Sequence, residues 1–210
     1  MGVAVTDKKL VPADQLGPFV ADLFIAGGFS ANAGRRIADA LIEADLSGRG
    51  SHGVLQAENY LARLVAGAMS TAEKPTIVSQ SRGAIVLDAG SMEGHLAADE
   101  AIALGIEAAR EQGIVAVAVR NSQHTGVTGR YVRTAAEQGC VAMAMGNAKP
   151  VMPAPGGAQR LVGTNPLAVG IPATEGPIVL DMALSEAALG KIRLAEQEGQ
   201  IGRASCRERV

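Results

Sequence analysis

The chain has 210 residues, a formal net charge of −2, and 48% hydrophobic but only 2% aromatic residues. No apolar run reaches the roughly 18 residues of a membrane span, and no Lys/Arg cluster offers a footprint for nucleic acid. Membrane and nucleic-acid partners are therefore set aside, leaving a globular protein with a core of Ala, Val, Leu and Ile.

Residues 1–10 carry no periodicity. A helix start follows, with Pro12 near its first position and Asp14 in its first turn. Leu16, Phe19, Val20, Leu23 and Phe24 recur at spacings of three and four, which predicts one apolar stripe. Gly27 and Gly28 stop that helix, and Ser30 caps a second with Ile37, Ala38, Leu41 and Ala44 on its inner face. A third helix is predicted over 54–68, so residues 1–72 form a helical unit, with the boundary in the polar stretch 70–75.

Beyond it the rhythm changes. Short strands are predicted at 76–79 and 84–88, then a helix over 94–112 with Glu100, Glu107 and Glu111 facing water and Gly113 closing it. The apolar run 114–120 reads as a strand buried on both faces. A helix over 127–138, a strand over 140–145 and a Pro/Gly-rich segment over 146–165 follow; a loop of that length is commonly functional. Strands at 167–171 and 178–181 lead to a helix over 185–198. The class is α/β (α+β), with a second unit over 73–200.

The last ten residues, 201–210, resemble one reading frame of a sequencing adapter and interrupt a helical pattern without a cap. They are read as a non-native tail, with the natural chain expected to continue beyond Gln200. Without them Cys140 is the one cysteine, which supports no disulfide framework and predicts a reducing cytoplasm.

His52 sits between Gly50 and Gly53 at an element end. Its imidazole titrates near neutrality and suits proton transfer, or it caps helix carbonyls. The run Gly48-Arg-Gly50-Ser-His-Gly53 formally matches a dinucleotide fingerprint, but a helix precedes it where a strand is required. His124 lies on a second polar loop, 121–126, whereas His95 opens a helix and reads as structural or solvated. The three histidines lack metal-ligand spacing. Asp181 ends a strand, where it orients an imidazole or stabilises the positive end of the next helix. Gly163-Thr164-Asn165-Pro166 is a constrained turn offering donors to a phosphate or an amide.

Taken together and in order, Ser51-His52-Gly53, Asn121-Ser-Gln-His124-Thr-Gly126, Met152-Pro-x-Pro-Gly-Gly157, Gly163-Thr-Asn-Pro-Leu167 and Val179-Leu-Asp181-Met-Ala-Leu-Ser185 are specific. The chain resembles the type-2 malate/L-lactate dehydrogenase family from about residue 8 to Gln200, little more than the first half of a full member. The resemblance implies a helical domain plus a non-Rossmann nicotinamide-binding domain, incomplete here, working as a homodimer. It implies an oxidoreductase moving a hydride between NAD or NADP and a small 2-oxo or imino acid. Alternatives are a dehydrogenase of ureidoglycolate-type substrates and a non-catalytic binding homologue.

By the same match His52 is the acid/base and Asp181 its neighbouring carboxylate. Tyr60 and His124 line the substrate pocket. Ser122, His124, Thr164, Asn165, Pro166, Val179, Leu180, Asp181, Met182, Ala183 and Ser185 contact the cofactor. Two positions depart from the pattern. Gln56 stands where members commonly carry an arginine for the substrate carboxylate, which replaces a charged pair by neutral hydrogen bonding. Ala148 stands where relatives often have serine, and the adjacent Lys149 is a candidate source of compensating charge.

Overall fold

The computed structural model of the chain describes residues 10–185. Helix α1 (Ala13–Ala26) follows Pro12, which occupies the cap position just outside the first turn. Helix α2 (Ala31–Leu46) is capped by Ser30, whose hydroxyl accepts from the Ala33 amide at 3.1 Å. The two helices approach so closely that a Cβ on Gly34 would lie 2.8 Å from Ile25 and 2.9 Å from the Ala21 carbonyl. Val20, Ala21 and Phe24 are buried against Ile37, Ala38 and Leu41. The predicted α1 stripe is too wide: Phe19 is 60% exposed, because packing on a single partner helix covers a narrower arc than the apolar spacing suggests.

The third helix, expected over 54–68, is regular only as α3 (Ala57–Val65); its start is a 3-10 turn, Val54–Gln56, and a separate 3-10 turn, Gly50–His52, precedes it. Gly53 between them is extended, and the Asp45 carboxylate accepts from the Val54 amide at 2.9 Å. A side chain at Gly53 would collide with that carboxylate, at 2.0 Å from Oδ1. His52 ends the 3-10 turn that precedes Gly53.

Strands β1 (Thr76–Ser81) and β2 (Ala84–Asp88) form an antiparallel hairpin. Helix α4 (Gly94–Gln112) crosses over to β3 (Ala116–Arg120), which runs parallel to β2. Gly113 closes α4 at φ +82°, as its sequence position predicts. On α4 Glu100 is drawn out of the solvent row by Arg36, at 3.1 Å. The reading of 114–120 as doubly buried is overturned. Val117 is half-covered beside Gly105 of α4, but Val119 is exposed, since β3 is an edge strand with no described neighbour beyond β2. One buried cluster runs across the 70–75 stretch, joining Phe24, Phe29, Ile37 and Tyr60 to Met69, Met92, Leu96 and Ala97.

Helix α5 (Gly129–Glu137) packs on an antiparallel sheet ordered β4 (Ala142–Met145), β7 (Leu167–Ile171), β8 (Ile178–Met182). A Cβ on Gly170 would sit 2.2 Å from the Val132 carbonyl, so glycine lets α5 rest directly on β7. On the opposite face Met143, Met145, Ile178, Leu180 and Met182 stand exposed. The 146–165 segment, expected to be irregular, contains a short hairpin, β5 (Met152–Pro153) with β6 (Arg160–Val162). Of the helix expected over 185–198, residues 186–198 lie outside the described residues. Among the described residues no helix is long and apolar enough to cross a membrane.

Glu93 caps α4 from a fully buried position, accepting from the His95 and Leu96 amides at 2.9 and 3.1 Å and meeting His95 Nδ1 at 2.8 Å. Urea denaturation is expected to show a loss of about 3 kcal/mol for Glu93→Ala, which strands a buried imidazole and two amides. Ser30→Ala, an ordinary cap, should lose about 1 kcal/mol. Equal losses would reduce Glu93 to a cap alone.

Candidate active site

The first 3-10 turn places His52. Its amide donates to the Arg49 carbonyl at 2.8 Å, and Ser51 Oγ lies 2.9 Å from its Nδ1. Gln56 braces the same turn, donating through Nε2 to the Ser51 carbonyl at 2.6 Å and accepting from Asn59 at 3.1 Å. The amide that replaces the expected arginine is therefore engaged within its own corner.

His124 arrives from the loop after β3. Asn121, at φ +55°, turns the chain there and donates to both oxygens of Asp88 at 3.0 Å. The Asn121, Gly90 and Arg120 hydrogen bonds hold the Asp88 carboxyl below the usual carboxylate range. The Gln123 amide then donates to the Met92 carbonyl at 3.1 Å and its side chain to the Ala68 carbonyl at 2.7 Å. Gly94 completes the seat, since a Cβ there would fall 2.0 Å from the His124 carbonyl. The result sets the His52 and His124 rings 5.5 Å apart at 33°.

Tyr60, buried on α3, places its hydroxyl 2.6 Å from His124 Nδ1. Surrounding protein desolvates the His124 ring and the His52 and His95 imidazoles reinforce that effect, so its pKa is pushed down to about 4. Part of the residue nevertheless stays open to solvent. His95 proves structural, not solvated: it is buried and paired with Glu93, with Gly126 lying directly against its Nε2.

Asp181, from β8, does not hydrogen-bond His52. Its Oδ2 pairs with Arg49 Nη1 at 2.7 Å, while Gly129 of α5 leaves room for its carboxylate. Its charge still reaches the imidazole. Desolvation lowers the His52 pKa, Asp181 opposes that, and Arg49 and His95 add to the lowering, leaving it below its ordinary value. Arg49 went unread in the sequence except as part of a rejected glycine pattern. The available signal was a cation three residues before the histidine, on the same tight turn.

The turn 164–166 lies beside the end of β8, where the Leu184 amide donates to the Thr164 carbonyl at 2.8 Å. Asn165 is held at φ +35°, its Oδ1 accepting from the Ala148 amide at 3.0 Å. The Thr164 hydroxyl and Asn165 Nδ2 take no partner among the described residues. Ser122 donates to the Gln123 carbonyl at 3.2 Å, and Lys149 is exposed next to the Asn165 turn. Strand alternation divides the 178–182 stretch: Val179 and Asp181 share the α5 side, and Leu180 and Met182 the open one. Among the described residues no cluster of three His, Cys, Asp or Glu is arranged to hold a metal ion.

The sequence profile of the malate/L-lactate dehydrogenase family matches residues 11–201. The chain is 35% identical over 190 residues to a malate dehydrogenase of Pyrococcus abyssi, covering 90% of this chain and 52% of that one. It is 40% identical over 168 residues to a (2R)-3-sulfolactate dehydrogenase (NADP(+)) of Chromohalobacter salexigens, covering 78% and 49%. The solved malate dehydrogenase of Pyrococcus horikoshii superposes with a TM-score of 0.86 at 32% identity, covering 92% of this chain and 56% of that one. The chain thus spans about half the length of the curated relatives it matches. With its profile match, its sequence identity to these dehydrogenases and its superposable fold, the chain belongs to the malate/L-lactate dehydrogenase family.

Proposed function

We propose that the protein is an NAD- or NADP-dependent oxidoreductase that reduces the carbonyl or imine of a small 2-oxo or imino acid, and oxidises the product in reverse. The observation that carries this reading is the pair of imidazoles 5.5 Å apart beside the Arg49–Asp181 ion pair. The nicotinamide supplies or accepts the hydride. His52 gives the proton to the oxygen or nitrogen during reduction and takes it back during oxidation; one such group near neutrality contributes about 10²–10⁴-fold in rate. Asp181 favours the imidazolium that oxidation forms, and Arg49 tempers that effect.

The 164–166 turn supports the cofactor assignment, because two uncommitted donors on a rigid turn suit a phosphate or carboxamide. Ser122, His124, Thr164, Asn165 and Pro166 hold the cofactor in this reading, with Val179, Leu180, Asp181, Met182, Ala183 and Ser185. His124, Tyr60, Gln56 and Lys149 serve the substrate. The division into units 1–72 and 73–200, the homodimer and the cytoplasmic location belong to the same proposal, supported by the family relationship.

In the full-length protein, His52→Asn should lower kcat by about 10²–10⁴-fold with little change in KM, measured with NADH or NADPH and a panel of 2-oxo acids. Unchanged turnover would sink the acid/base role and favour a different residue or a binding homologue.

Because the His52 pKa lies below its ordinary 6.5 and reduction needs the protonated ring, reductive kcat/KM should fall as pH rises through a midpoint below 6.5. Oxidation should rise through the same midpoint. Arg49→Gln removes a cation and releases the Asp181 charge, so that midpoint should move toward alkaline pH. A fixed or acid-shifted midpoint would show that Arg49 does not act on His52.

Gln56→Arg should lower KM for a simple 2-oxo acid by roughly tenfold by restoring a charged pair. Lys149→Ala should raise it; an unchanged KM removes Lys149 from the substrate site.

A further inference from the structure

We propose that Tyr60 is a positioning residue that fixes His124 with its proton on Nε2, so that this ring meets the substrate's reacting oxygen as a neutral hydrogen-bond donor beside His52. The tautomer follows from counting donors and acceptors. The Tyr60 hydroxyl is buried and lies 2.6 Å from His124 Nδ1, and no other described group is placed to receive its hydrogen. Were Nδ1 to carry the proton, the hydroxyl hydrogen would be left buried without an acceptor, which proteins avoid. The hydroxyl therefore donates to Nδ1, and the proton of the neutral ring resides on Nε2. No described group takes up Nε2, and the ring that carries it stands beside the imidazole of His52.

The surroundings keep the ring neutral and in place. Desolvation above all, and then His52, His95 and Arg63, disfavours a charge on His124, and Glu93 alone opposes them. Burial and the Glu93 carboxyl hold the Tyr60 phenol above its usual range, so it remains a donor at neutral pH. The Tyr60 ring is wedged between two imidazoles, with centroids 5.9 Å from His95 and 6.0 Å from His124. His95 is itself clamped by Glu93 at 2.8 Å. A donor oriented before substrate arrives stabilises charge developing on oxygen without reorganising. The two histidines thereby divide their work: His52 moves the proton, and His124 polarises the bond that is reduced.

The tautomer is independent of the proposed activity, whereas the donor role rests on it, and the experiment separates them. Full-length protein labelled with 15N-histidine is examined by NMR near neutral pH. The expected His124 signature is an unprotonated Nδ1 and a protonated Nε2, giving way to mixed tautomers in Tyr60→Phe. A protonated Nδ1 in the wild-type protein, or an unchanged spectrum in Tyr60→Phe, overturns the positioning role. Kinetically, Tyr60→Phe should lower kcat on the order of tenfold with KM little changed. His124→Gln, whose amide reaches the Nε2 position, should retain more activity than His124→Asn, whose amide reaches only Nδ1. Wild-type kcat in Tyr60→Phe, or Asn outperforming Gln, overturns the donor role. A protonated Nε2 in a protein that reduces no 2-oxo or imino acid upholds the positioning role and overturns the activity instead.

Discussion

Glu93 is fully buried, and a carboxyl group at that depth is tolerated only when its oxygens are engaged. One oxygen takes the His95 and Leu96 amides in the first turn of α4 and the other takes the His95 imidazole. Much of the site hangs on that arrangement. His95, so held, presents one edge to Tyr60 and its Nε2 to the backbone of Gly126. Gly126 closes the loop that carries His124, and Gly94, one residue after Glu93, is the point on which the His124 carbonyl rests. A helix cap thus positions two ring systems that come from different parts of the chain.

The second tie is electrostatic. Arg49 follows α2 and Asp181 belongs to β8, yet they meet at 2.7 Å. The pair ties the sheet that carries β8 to the turn that carries His52. It also sets opposing charges near that imidazole, so its proton affinity reflects a balance between them against a background of desolvation. Glu43 performs a related task on the outer side, gathering Arg130 and Arg133 of α5 onto α2. Ion pairs of this partly exposed kind contribute little to stability one at a time. Their value here is registration: they determine which face of α5 and which end of β8 look toward His52.

Much of the fold was legible. Ser30, Gly113 and the apolar spacing of α2 act through short-range geometry that a sequence states directly, and each performs as read. Failures came where a distant group intervened. The helical spacing runs from Val54, but the Asp45 carboxylate claims the Val54 amide and residues 54–56 form a 3-10 turn ahead of α3. The run 114–120 has the composition of a central strand, but sheet order places it at an edge. His95 looks like any helix-opening histidine until Glu93 is found beneath it.

The sequence by itself determined which residues are chemically able to act: a histidine between glycines, a second on a polar loop, an aspartate at a strand end, and the ordered motifs that identify the family. Those are matters of residue type and local spacing. Only the tertiary structure decided how they are partnered. It brought His124 to Tyr60 across 64 residues and Asp181 to Arg49 across 132, and it left Gln56 bound within its own turn. Such pairings depend on how helices and sheets dock. Docking is driven by burial of apolar surface, which is non-directional and leaves no mark beside the polar residues it brings together.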